Sequence, residues 1–103
     1  MAKYVIRFQA NPESWPTDPV ERLALWEQVI AGAQGLLDSG TLSEINFTSN
    51  MAGYTTLEAP SKAAATEVGA AFFPLFSQEA DEILPWDEAK AALLAGAKSA
   101  AGG

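Results

Sequence analysis

Lys3-Tyr4-Val5-Ile6-Arg7-Phe8-Gln9-Ala10 alternates bulky apolar residues (Tyr4, Ile6, Phe8 and Ala10) with a more polar set (Lys3, Val5, Arg7 and Gln9). Successive side chains of an extended chain point to opposite faces, so this period of two predicts a strand with one core face. Asn11 to Thr17 then reads as a loop, because Pro12 and Pro16 remove backbone donors and hold φ against a continued ladder. A helix follows. Asp18 is suited to cap it, Pro19 fits the first helical position, and Glu21 completes an aspartate form of the capping box. Leu23, Trp26, Ile30, Ala33 and Leu37 recur at spacings of three and four, which predicts a buried stripe along the helix, and Gly40 suits its left-handed end.

The alternation returns twice. Leu42 to Thr48 and Tyr54 to Glu58 read as two strands, and the turn formers in Ser49-Asn50-Met51-Ala52-Gly53 make them a hairpin. Lys62 to Phe73 keeps helical spacing until Pro74 interrupts it. Ser77 to Leu84 reads as a short edge strand whose Glu79, Asp81 and Glu82 discourage pairing with strangers. After Pro85, an alanine-rich helix from Glu88 to about Lys98 has Leu93 and Leu94 as its only large apolar residues. Residues from about 99 to 103 form a small-residue tail that is expected to be mobile.

The chain has 103 residues, 49% hydrophobic and 18% charged, which predicts one packed domain over residues 1–103. Its net charge of −7 opposes nucleic acid and anionic membrane surfaces. With no histidine and no cysteine it cannot form a disulfide, a Ser-His-Asp triad, a cysteine nucleophile or a histidine-ligated haem. No apolar run approaches the ~20 residues that span a bilayer, and Lys3, Arg7 and Glu13 break any signal-peptide core. A cytoplasmic protein without cofactor or metal is the expectation.

Strand, helix, strand, strand, helix, strand is the ferredoxin-like βαββαβ pattern. It predicts an α+β fold with a four-stranded antiparallel sheet in the order 4-1-3-2, both helices on one face and an extra C-terminal helix along an edge. Trp26, Ile30, Val68 and Phe72 then meet Ile6, Phe8, Ile45, Phe47 and Leu57 in one core. The other sheet face, displaying Val5, Arg7, Gln9, Leu42, Glu44, Asn46, Thr48, Tyr54, Thr56, Glu58, Glu79 and Asp81, has no cover within the chain. A second copy is the simplest cover, giving a homodimer through that open face.

The same residues resemble a family. Ser39-Gly40-Thr41, Ala52-Gly53-Tyr54-Thr55, and Phe73-Pro74-Leu75-Phe76 followed by Glu79-Ala80-Asp81 are similar to the dimeric α/β-barrel superfamily, and to muconolactone isomerase-like proteins within it. Lys3-Tyr4, Trp15 to Pro19 and Arg22 to Glu27 resemble a set of small uncharacterised members of that superfamily. The resemblance covers almost the whole chain. It implies two sheets packed through their open faces into a barrel, with sites between sheet and helices or at the barrel mouth. It also implies that Arg7 matches a basic strand-one position of the isomerase-like proteins.

Arg7 is one of two arginines, and its planar fork suits a carboxylate or enolate; the alternative is an ion pair with Glu58, Glu79 or Asp81 on neighbouring strands. Tyr54 offers a phenolic donor beside it, or else fills an interface. Glu44 and Asn46 share the face, and a desolvated Glu44 or Asp81 would suit a general base, whereas an edge-strand Glu44 is merely solvated. Gln9 completes the candidate set. The acidic cluster Glu79, Asp81 and Glu82 follows no defined cation loop. Trp26 is assigned to the core, while Trp15 and Trp86, beside prolines, either pack or line a cavity mouth. These residues support a homodimer that binds a small, partly apolar, anionic organic molecule near Arg7 and Tyr54. Two alternatives stay open: a cofactor-independent isomerase or monooxygenase of an activated aromatic or lactone substrate, and an assembly module without a ligand.

Overall fold

Local chemistry places the elements where the sequence predicts them in a computed structural model that describes residues 1–102. The Asp18 carboxylate accepts a hydrogen bond from the Glu21 backbone N–H at 3.0 Å, satisfying one of the unpaired donors at the start of helix α1, Pro19–Asp38. Gly40, at φ 78°, provides the left-handed residue past its end. Ser61 caps α2, Lys62–Ala70, by accepting from Ala64 N–H at 3.1 Å. Strands β1 (Ala2–Ala10), β2 (Glu44–Phe47), β3 (Ala52–Ala59) and β4 (Phe76–Glu82) form one sheet in the order β2-β3-β1-β4, with every neighbouring pair antiparallel. This is the predicted α+β, ferredoxin-like arrangement. Among the described residues, no helix is long and apolar enough to cross a membrane.

The register builds the core. Tyr4 lies opposite Leu57, and Ile6 lies between Thr55 on β3 and Ala80 on β4, so one sheet face collects the apolar set of three strands. These residues cluster with Leu42, Ala59 and Ala65, and Leu36, Leu37, Ile45 and Val68 pack against them. Ile6 and Leu57 are the largest fully buried side chains, each worth roughly 1.5–3 kcal/mol of apolar transfer. A second cluster is aromatic. Trp15 stacks on Trp26 with centroids 4.4 Å apart, and Phe76 meets Trp15, Trp26 and Phe8 edge-on. The Trp15 indole N–H donates to Leu75 O at 3.1 Å, which fixes the Pro12–Trp15 loop against the start of β4.

Several expectations need correction. Leu42 is buried at 5% exposure rather than displayed on the open face. Strand β2 begins only at Glu44, so the alternation does not extend back to Leu42, whose N–H instead bonds Leu36 O at the end of α1. The α1 stripe is rotated. Leu23 and Ile30 are each 60% exposed, while Leu25, Trp26, Val29, Ala33, Leu36 and Leu37 are half-buried. A regular 3.6 spacing fixes which residues share a face, but not which of two adjoining apolar lines meets the sheet. Helix α2 ends at Ala70, three residues early, because residues before a proline disfavour helical geometry and Phe72 to Leu75 take turns instead. Its buried line is Ala65 and Gly69.

Helix α3, Trp86–Ala100, starts two residues earlier and ends two later than expected. It is exposed over its length except for half-buried Ala89, so it stands off the body instead of lining a sheet edge. Trp86 is exposed with it, whereas Trp15 is buried. Of the tail expected from about residue 99, Ser99 and Ala100 belong to α3, Ala101 and Gly102 form a turn, and Gly103 lies outside the described residues.

Candidate functional site

Antiparallel pairing turns isolated sequence candidates into a row. Arg7 on β1 lies directly opposite Tyr54 on β3 and Glu79 on β4, and Tyr54 lies opposite Asn46 on β2. One line across four strands therefore carries Asn46, Tyr54, Arg7 and Glu79 on the open face. The next line carries Glu44, Thr56, Val5 and Asp81. Gln9 lies one step the other way, between Ala52 and Ser77. Four of the predicted residues are thus neighbours, while exposed Glu44 occupies the edge strand and Gln9 the far end.

The charge of Arg7 is paired within this face. An Arg7 Nη2–H donates to Asp81 Oδ2, and the same nitrogen is 3.7 Å from Glu79 Oε2. Lys62 Nζ lies 3.9 Å from Asp81 Oδ1. Of the two alternatives for Arg7, the fold forms the ion pair, and its partners are Asp81 and Glu79; Glu58 lies opposite Lys3 instead. Two cations facing two carboxylates leave no net positive charge for an anion. Asp81, already accepting from Arg7, is likewise committed. Above this row lies a shallow basin of about 520 Å³, bordered by Arg7, Gln9, Thr48, Tyr54, Ser77 and Glu79.

The opposite side of the sheet holds a second, different space. An apolar cavity of about 70 Å³, open at one side, lies between the sheet and both helices. Helix α1 contributes Val29 and Ala33, and α2 contributes Val68 and Gly69. Phe8, Phe47, Phe72 and Phe76 give it aromatic walls, with half-exposed Phe47 on the edge strand. Its floor is Ile6, Leu42 and Ile45. Only Thr55 and Gln78 bring polar side chains, and the Thr55 hydroxyl donates to Glu44 O at 2.7 Å. Phe8 and Gln78, paired across β1 and β4, border both the cavity and the basin.

The family resemblance implied sites between sheet and helices, but Gln78 and the other residues lining that space were not among the candidates named from the sequence. The signal was present: along Phe76, Gln78 and Ala80 the core-facing positions of β4 are apolar except one. Reading Ser77 to Leu84 as an acidic edge drew attention to the other face.

No protein-family model and no curated protein matches the chain. Its structure is similar to the crystal structure of muconolactone isomerase at 3.3 Å resolution, with a TM-score of 0.63. The superposition covers 81% of this chain and 88% of that one at 21% sequence identity. Together with the element order and the β2-β3-β1-β4 sheet, that likeness establishes that this chain has the muconolactone isomerase-like form of the ferredoxin-like fold.

Proposed function

We propose that the chain is a homodimeric binding protein for a small, partly apolar and uncharged organic molecule, with its apolar end between sheet and helices. The observation that carries this reading is the aromatic-walled cavity of about 70 Å³ on the helix-covered side of the sheet, bordered by Phe8, Phe47, Phe72 and Phe76. Ligand sites are typically apolar hollows with few polar groups. The size decides what enters. A cavity of roughly 150 Å³ encloses a whole benzene, so about half that volume takes a ring edge or a short alkyl end. The remainder of the ligand stays in the mouth.

This reading moves the site away from Arg7 and drops the anionic character that Arg7 suggested. An anion at Arg7 would have to displace Asp81 and Glu79 and would meet a chain of net charge −7. The second copy keeps its place in the proposal, because the open sheet face has no cover among the described residues and carries exposed Tyr54 with half-buried Val5 and Thr56.

Ligand-observed NMR with p-cresol and benzoate tests the site. The neutral ring binds and benzoate does not, and Val68→Phe, which fills the cavity, abolishes p-cresol binding. Equal binding of p-cresol to Val68→Phe and the parent sinks the cavity reading. Sedimentation at micromolar concentration tests the assembly, with particles of twice 10.9 kDa expected. Lone chains would remove the dimer and leave the cavity standing.

A further inference from the structure

Helix α3 has no cover of its own. Among its residues only Ala89 is half-buried. The chain extends over 63 Å with a radius of gyration of 17.5 Å, where a compact chain of this length has roughly 13 Å. A lone helix of 15 residues is marginal in water, so one that keeps Trp86, Leu93 and Leu94 exposed needs a surface to lie on. The outward line of α1 is a second uncovered stripe, with Val20, Leu23 and Ile30 exposed. The two stripes match. On α1, Leu23, Glu27 and Ile30 stand at spacings of four and three, and on α3, Trp86, Lys90 and Leu93 repeat those spacings. Each line therefore carries two large apolar groups about 10.5 Å apart along the axis. One charge lies between them, negative on α1 and positive on α3. Glu27 has no ion-pair partner among the described residues, and Lys90 meets only Asp87, 3.5 Å away in its own helix.

Resting on the homodimer proposed above, we propose that α3 is an arm that lies on α1 of the second copy. Lys90 stands against the partner's Glu27, and Trp86 and Leu93 pack beside its Leu23 and Ile30. The chain's own α1 is the wrong target. Trp26, one turn on from Leu23, meets Phe76 at the first residue of β4, whereas α3 follows the last residue of β4. The linker from Ile83 to Pro85 is short, and the Ile83 N–H bonds Lys3 O at 2.8 Å, so it leaves no slack for α3 to turn back. Reach suits the second copy. The 15 residues of α3 span about 22 Å, close to two layer spacings of ~10 Å. That length takes α3 from its own sheet past the facing sheet to the helices on its far side. By two-fold symmetry the exchange is reciprocal, so each contact is made twice and the arms close the pair.

Charge reversal tests the pairing, with the dimer dissociation constant read by sedimentation at fixed salt for the parent, Glu27→Lys, Lys90→Glu and the double reversal. Both positions are exposed, so none of these changes touches the core. Each single reversal turns two attractions into repulsions and is expected to raise the constant roughly tenfold; the double reversal is expected to return it to within about threefold of the parent. Net charge alone predicts otherwise. Glu27→Lys makes the chain less negative and would tighten a contact governed only by repulsion between like chains. Because the chain has no cysteine, a mixture of Glu27→Cys and Lys90→Cys chains under oxidation reports the contact directly, and a disulfide joining one chain of each kind is expected. A disulfide that closes only within a single chain carrying both cysteines overturns the proposal in favour of α3 folded onto its own α1. Unchanged dissociation constants in both single reversals overturn the arm and leave the homodimer standing. A parent that sediments as single chains removes the homodimer and the arm together.

Discussion

Replacing Gly53 with alanine should damage this fold more than its single methyl suggests. Gly53 lies in β3 between Phe8 on β1 and Phe47 on β2, and those two rings meet edge-on across it with centroids 5.1 Å apart. An added Cβ would stand 2.1 Å from Asn46 O, 2.7 Å from Phe8 Cζ and 3.0 Å from Phe47 Cα. Two of those three atoms are backbone, so rotating one side chain cannot relieve the overlap. Either β2 moves away from β3, weakening their ladder, or the aromatic pair is pushed apart. Overpacking of this kind costs about 1–3 kcal/mol, and loss of an edge-to-face pair adds about 0.5–1.5 kcal/mol. Alanine returns roughly 0.5–1 kcal/mol through a less flexible unfolded chain. From the middle of these ranges the net loss is about 2 kcal/mol, which in a domain of this size lowers Tm by roughly 8–16 °C. Thermal unfolding followed by circular dichroism at fixed protein concentration measures it. A Tm within 3 °C of the parent would refute the packing argument, because the strands would then have room that the distances deny.

The contrasting glycine is Gly32, inside α1, where an added Cβ meets nothing within 4 Å; Gly32→Ala should raise stability by about 0.5–1 kcal/mol in the same unfolding assay. Leu57, 1% exposed and opposite Tyr4, should lose about 2–5 kcal/mol on truncation to alanine, read as a lower urea midpoint with an unchanged slope.

The candidate site was legible in proportion to how local its determinants are. The parity of β1 put Arg7 and Gln9 on the open face, and the hairpin put Tyr54 and Asn46 beside them, which the register bears out. The fate of the Arg7 charge was not legible. Asp81 is 74 positions away, and only the pairing of β1 with β4 decides that it, rather than Glu58, receives the guanidinium. The inward position of Gln78 was readable by parity alone, but its close approach to Gly69 was not, since that glycine belongs to another element.

The amino-acid order by itself determined which segments are strands and helices, where α1 starts and stops, and that four strands and two helices pack as βαββαβ. Those choices depend on side-chain periods of two and 3.6 residues and on capping groups within a few positions of each other. Tertiary structure alone decided which line of α1 meets the sheet, that Leu42 turns inward, that α3 stands off the body, and that a cavity remains above Ile6. Each of these depends on the distance and rotation between elements far apart in the chain, and those are set by how side-chain volumes fit together when the layers meet.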